Sequence, residues 1–169
     1  TFHHSFSDWA RHTSRWVSDA ARRGATLLLF PEYGTMELAS LLTEAEKTDL
    51  HRQVAALNDL KANFLEIFAG LAQQWGVLIV APSFPVLEDG KTYNRAYVFS
   101  PKGLIGYQDK LFMTRFEDEE WGIQSAPAQL SLFDAAWGSF GVQICYDIEF
   151  PIGAQVLCAQ GAKLIVAPS

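Results

Sequence analysis

The sequence predicts an α/β domain built in layers. Three observations carry that prediction: short apolar runs of strand length at 26–30, 77–81 and 164–167, long stretches of helical period between them, and an order in which the two kinds alternate. At 169 residues, with 49% hydrophobic and 19% charged residues, the chain has enough apolar material for one domain over 1–169 with a real core.

Each element has a local cause. Ser5-Phe-Ser-Asp8 is a helix-capping signature, and Phe6, Trp9, Ala10, Thr13, Trp16, Val17 and Ala20 recur at helical spacing up to the stop at Gly24, so a helix is expected over 6–23. Thr26-Leu-Leu-Leu-Phe30 reads as a strand buried on both faces and ended by Pro31. Thr43-Glu-Ala-Glu46 is a second capping signature. Leu50, Val54, Leu57, Leu60, Phe64, Phe68, Leu71 and Trp75 carry a helical stripe from there to Gly76, as one interrupted helix or as two with Asn58 as a new cap. Strands are expected at Val77–Ala81 and Thr92–Ser100 with the Asp89-Gly90 turn between them, and at Gly103–Asp109. The stretch 112–127 has no period and reads as a loop. Strands at Leu130–Phe133 and Phe140–Cys145 follow, with a Trp137-Gly138 turn, then a helix over 151–160 stopped by Gly161, then a strand at Leu164–Ala167.

Composition narrows the function. The net charge is −6 and the basic residues are scattered, which argues against nucleic acid or an anionic membrane as partner. No apolar run reaches the length of a membrane span. Thr1-Phe2-His3-His4 has no signal-peptide layout. Two cysteines make no disulfide framework, so a reducing cytoplasm and free thiols are expected. Cys158 reads as a buried structural residue on an apolar helix face. His3, His4 and His12 read as surface imidazoles without metal-ligand spacing, and nothing in the pattern calls for a metal or cofactor.

Three reactive residues stand at the ends of apolar strands, before loops: Glu32, Lys110 and Cys145. In open α/β sheets, sites gather at such carboxyl ends. A partly desolvated carboxylate there can act as general base, a fixed cation can stabilise an oxyanion, and a thiol at a strand-to-helix elbow can be the nucleophile, with the positive end of the following helix favouring its thiolate. Taken singly, each is equally read as an ordinary residue: a solvated glutamate, a surface lysine, a buried core thiol. The set of thiol, base and charge stabiliser is the activated-nucleophile pattern.

Phe30-Pro31-Glu32, Asp109-Lys110-Leu111 and Gly141-Val-Gln-Ile-Cys145-Tyr-Asp-Ile-Glu-Phe-Pro151 resemble, in order, the three catalytic motifs of the nitrilase/amidase (carbon–nitrogen hydrolase) superfamily. The tail Gly161-Ala-Lys-Leu-Ile-Val-Ala-Pro-Ser169 resembles the helix–strand unit after that family's cysteine. The resemblance implies an α-β-β-α sandwich. It implies Glu32 as general base, Lys110 as stabiliser of the oxyanion and Cys145 as the residue that forms a thioester, without a cofactor. It implies a further glutamate after the lysine, for which Glu117 is the choice, with Glu119 and Glu120 as competitors. Tyr33, Tyr146, Phe116 and Trp121 are candidate pocket residues, with plain core packing as the alternative for the aromatics.

Tyr146-Asp147 after the cysteine is similar to the amidase and carbamoylase branches, whereas the nitrilases carry Trp-Glu, so hydrolysis of a small-molecule amide or carbamoyl bond is expected ahead of nitrile hydrolysis. N-acyl transfer, an isochorismatase-like hydrolase and an inactive fragment are the rival readings. Against the family the chain lacks a first strand and the C-terminal part, so the sandwich is expected to be incomplete. Family members assemble, so a homo-oligomer is expected.

Overall fold

The computed structural model describes residues 2–169; Thr1 lies outside the described residues. Four layers stack as α-β-β-α. The first helix layer is α1 (Phe6–Arg22), α3 (Leu50–Asp59) and α4 (Lys61–Trp75), with a short α2 (Glu44–Lys47) and a 3-10 turn over Gly34–Leu41 leading in. A five-stranded sheet follows: β1 (Leu27–Leu29), β2 (Leu78–Val80), β3 (Phe84–Glu88), β4 (Lys91–Ser100) and β5 (Gly103–Asp109). The second sheet has β6 (Leu132–Ala135), β7 (Gly138–Val142) and β8 (Ala162–Val166), and α6 (Pro151–Ala159) packs on its far side.

Two apolar cores hold the layers. Trp9, Val17, Phe64, Phe68 and Leu71 from the helices meet Ile79, Phe84, Tyr97 and Phe99 from the first sheet. Leu78, Val80, Ala96 and Val98 point the other way and meet Phe133, Phe140, Val142 and Val166 of the second sheet. Alternation along β4 sends Tyr97 and Phe99 to the helices and Ala96 and Val98 between the sheets, as the two-residue side-chain period requires.

Strand direction positions the site. β1 pairs β2 in parallel, β2 pairs β4 antiparallel, and β4 pairs β5 antiparallel. β1 and β5 therefore run the same way, and their carboxyl ends reach one edge. β4 runs against them and brings its first half, with Asn94, to that edge. In the second sheet β7 pairs β8 in parallel, and the pairing continues past the strands through Gln143 N–H to Val166 O and Cys145 N–H to Pro168 O.

Several sequence expectations need correction. The Asp89-Gly90 turn joins β4 to β3, a strand not foreseen, and not to the 77–81 run. β2 and β3 lie along the same edge of β4, and the register slips by one residue between them around Pro82. The slip moves the helix-facing set from Ile79 and Ala81 to Phe84 and Val86. The 43–76 stripe is three helices that break before Leu50 and at Leu60. Asn58 caps nothing: its amide donates to Val54 O and Pro85 O and its oxygen accepts from Leu87 N–H, pinning α3 to β3.

The 112–127 stretch contains a short helix, α5 (Arg115–Glu119), because Thr114 and Glu117 form a capping box. The strand before Cys145 ends at Val142. Cys158 is exposed, since α6 turns Gly153 and Leu157 to the sheet. His3 is buried, with its ring nitrogens 3.7 Å from Asp8 and 3.4 Å from Glu37. Among the described residues no helix is long and apolar enough to cross a membrane.

Candidate active site

Glu32 leaves the end of β1 after Pro31, Lys110 follows β5 directly, and Cys145 stands three residues past β7. Lys110 is 1% exposed, and its ammonium lies 2.7 Å from Glu32 Oε1 and 2.6 Å from Glu117 Oε2. A lone buried ammonium is costly, and two carboxylates offset that cost. Burial works to lower the Lys110 pKa, but its hydrogen bonds to Glu117 and Glu32 outweigh burial and hold it above the usual lysine range. Lys110 is a fixed cation.

Glu117 is the glutamate that the fold brings in. Its carboxylate also accepts from Tyr33 Oη at 2.8 Å, Thr114 N–H at 3.0 Å and Thr114 Oγ1 at 2.9 Å. Burial pushes its pKa up, but Lys110, the Thr114 N–H and the Tyr33 hydroxyl together hold it below the ordinary value. Glu119 instead pairs with Arg115 on the surface, and Glu120 is exposed.

Asn94, which sequence reasoning missed, stands between the carboxylates. Its Nδ2 donates to Glu32 Oε1 at 2.9 Å and to Glu117 Oε1 at 3.2 Å, and it is fully buried. The signal was present in the alternation of β4: Asn94 shares parity with Ala96 and Val98, and a polar residue in such a row needs partners.

The Cys145 thiol lies within electrostatic reach of Glu32 and Lys110, and the Ser169 hydroxyl donates to its sulfur at 3.5 Å. Burial is the largest influence and raises its pKa, Ser169 and Lys110 pull it down, and the neighbouring Glu32 pushes it up; the net direction is upward. The structure sets Cys145 away from the helix whose positive end was expected to favour its thiolate. A 3-10 turn over Cys145–Glu149 intervenes, and α6 begins only at Pro151, whereas a helix end acts within about one turn.

The backbone is strained on both sides of this cluster. Cys145 has φ +47° and Tyr33, next to Glu32, has φ +49°. A non-glycine residue in this region costs roughly 1–2 kcal/mol. It persists where surrounding bonds over-determine it, as at functional sites. Here those bonds are Cys145 N–H to Pro168 O at 2.7 Å and Tyr33 N–H to Ser83 Oγ at 2.8 Å.

The four candidate pocket aromatics divide. Tyr33 packs edge-on against Trp121, which meets Phe116, all beside Glu117. Tyr146 lies apart from them against Phe150, which stacks on Phe112. The buried Tyr33 hydroxyl is committed to Glu117, so Tyr33 supports that carboxylate.

The fold is a four-layer sandwich that gathers a thiol, two carboxylates and a buried lysine at its sheet ends. The chain belongs to the carbon–nitrogen hydrolase family, whose model matches residues 4–169. It is 36% identical over 165 residues to the probable hydrolase YhcX of Bacillus subtilis (strain 168), covering 98% of this chain and 31% of that protein. It is 28% identical over 176 residues to omega-amidase NIT2-A of Xenopus laevis, covering 96% of this chain and 58% of that one. The crystal structure of a carbon-nitrogen hydrolase from Helicobacter pylori G27 shares the fold, with a TM-score of 0.78 at 17% identity over 100% of this chain and 56% of that chain. The chain thus spans about a third to three-fifths of the length of these proteins.

Proposed function

We propose that the protein hydrolyses the carbon–nitrogen bond of a small linear amide or carbamoyl compound through a thioester on Cys145. The observation that carries this reading is Lys110 held between Glu32 and Glu117, within electrostatic reach of the Cys145 thiol. In the first step the thiol proton passes to Glu32 as sulfur attacks the carbonyl carbon, and the negative charge moves to the carbonyl oxygen. Lys110 is the cation available to that oxyanion. The tetrahedral intermediate collapses, the nitrogen takes the proton from Glu32, and ammonia or an amine leaves. Water then gives a proton to Glu32 and attacks the thioester, and the acid and the thiol are restored. Glu32 shuttles one proton throughout, so the net charge of the protein groups and intermediate is unchanged within each transfer. Glu117 touches Lys110 and orients it.

An ω-amide, the group named for the Xenopus laevis relative, is the first substrate class to try. Ile148 in the 3-10 turn and Ile152 and Val156 on α6 leave apolar side chains exposed, which suits self-association into a homo-oligomer. The two free thiols fit a cytoplasmic setting. Ammonia release from a panel of short amides, ω-amides and carbamoyl compounds tests the reading. Cys145→Ala is expected to abolish release; full hydrolysis by that variant overturns it.

A further inference from the structure

A second buried carboxylate next to the site takes no part in the steps above. Asp147 lies two residues past Cys145 and is 2% exposed. Its Oδ1 accepts the N–H groups of Leu111 at 3.1 Å and Phe112 at 2.8 Å, and its Oδ2 accepts that of Ile144 at 3.2 Å. Leu111 and Phe112 follow Lys110 out of the five-stranded sheet, while Ile144 precedes Cys145 out of the three-stranded sheet. One carboxylate therefore ties the exit of the lysine strand to the exit of the cysteine strand.

That tie matters because of how the sheets meet. Among the described residues no strand ladder joins them, and their facing surfaces are Leu78, Val80, Ala96 and Val98 against Phe133, Phe140 and Val142. Apolar burial is non-directional and leaves lateral position loosely specified, whereas hydrogen bonds to a carboxylate are short and angular. A cation and a sulfur carried on different sheets need such a bond to hold their spacing. We propose that Asp147 is a positioning residue that fixes where the Lys110 ammonium stands relative to the Cys145 sulfur. Resting on the function proposed above, this assigns the acidic residue after Tyr146 a role in setting thiol reactivity as well as in folding.

The charged and polar groups acting on the Cys145 thiol are Glu32, Lys110 and Ser169, and the Lys110 charge favours its ionised form. Loosening the clasp removes part of that help. The test is the rate of Cys145 alkylation by iodoacetamide across pH, in a Cys158→Ser background so that one thiol reports. Asp147→Asn, which turns an amide N–H against a backbone N–H, is expected to raise the alkylation midpoint by about half to one pH unit, or roughly three- to tenfold in rate below it. Leu157→Ala, which opens the core under α6 without touching the clasp, is expected to lower Tm and leave the midpoint in place.

Loss of the Asp147 charge alone would lower the midpoint, so the proposal is overturned if Asp147→Asn leaves the midpoint unmoved or lowers it, whatever happens to Tm. Should Asp147→Asn fail to fold, Asp147→Glu decides: it keeps the charge but displaces it by a methylene, and an unmoved midpoint in that variant overturns the proposal. Alkylation needs no amide turnover, so this readout stands whether or not the proposed hydrolysis is found.

Discussion

Replacing Lys110 with Met removes the one charge between two carboxylates while keeping most of the side chain's bulk. In the native protein the ammonium is 2.7 Å from Glu32 and 2.6 Å from Glu117, and Glu117 is itself only 4% exposed. Without the cation, the two carboxylates share Asn94 Nδ2 as their common donor. Removing one partner of a buried ion pair costs roughly 3–5 kcal/mol. A domain of this size loses about 2–4 °C per kcal/mol, so Tm at neutral pH should fall on the order of 10 °C.

The pH dependence has a definite sign. Glu117 is held below its reference value of 4.5 in the folded protein, so its contribution to stability is complete above that value and is lost as pH falls through the lower folded pKa. In Lys110→Met the burial of Glu117 remains and its strongest partner is gone, so protonation relieves the variant as pH falls. The stability gap between the two proteins must therefore narrow from pH 7 toward pH 4. Melting or urea curves at four or five pH values read this. A loss at pH 7 below about 1 kcal/mol, the range of an exposed pair, or two parallel pH curves, would refute the reasoning.

Two further outcomes follow from the same geometry. Glu117→Gln keeps the shape but removes the charge that orients Lys110, and kcat for ammonia release should fall about a hundredfold with the fold retained, the scale of losing one stabilising group at an oxyanion; an unchanged kcat places Glu117 outside the reaction. Gly153→Ala in α6 sets a Cβ against Gln143 Nε2, so a net loss of roughly 1–2 kcal/mol is expected despite alanine's better helix propensity, and a chemical denaturation series that finds stabilisation contradicts the close packing of α6 on its sheet.

What was legible in the sequence, and what was not, follows physical lines. Glu32, Lys110 and Cys145 were legible because each interrupts or ends an apolar run, where a reactive side chain stands out. Asn94 lies inside a strand run, where only its parity with Ala96 and Val98 marks it. β3 was hidden because Pro82 and Pro85 punctuate the stretch, and the one-residue slip around Pro82 breaks the alternation that would have joined it to β2. α5 was hidden because five residues are too few to show a period, although its Thr114-x-x-Glu117 cap was present and distinguishes Glu117 from Glu119 and Glu120. The 3-10 turn that separates Cys145 from α6 was hidden because five residues are too few to show a period. The reach of the helix end depends on that separation.

The central claim is that Cys145 carries the acyl group, and trapping that intermediate tests it most directly. The protein is mixed briefly with a hydrolysable short amide, quenched in acid and weighed intact and as peptides. The account predicts a mass increase equal to the acyl group on the peptide containing Cys145, absent from Cys145→Ala and discharged on longer incubation at neutral pH. Hydrolysis at the native rate by Cys145→Ala, or an acyl group found on Cys158 or elsewhere while Cys145 stays free, would contradict it.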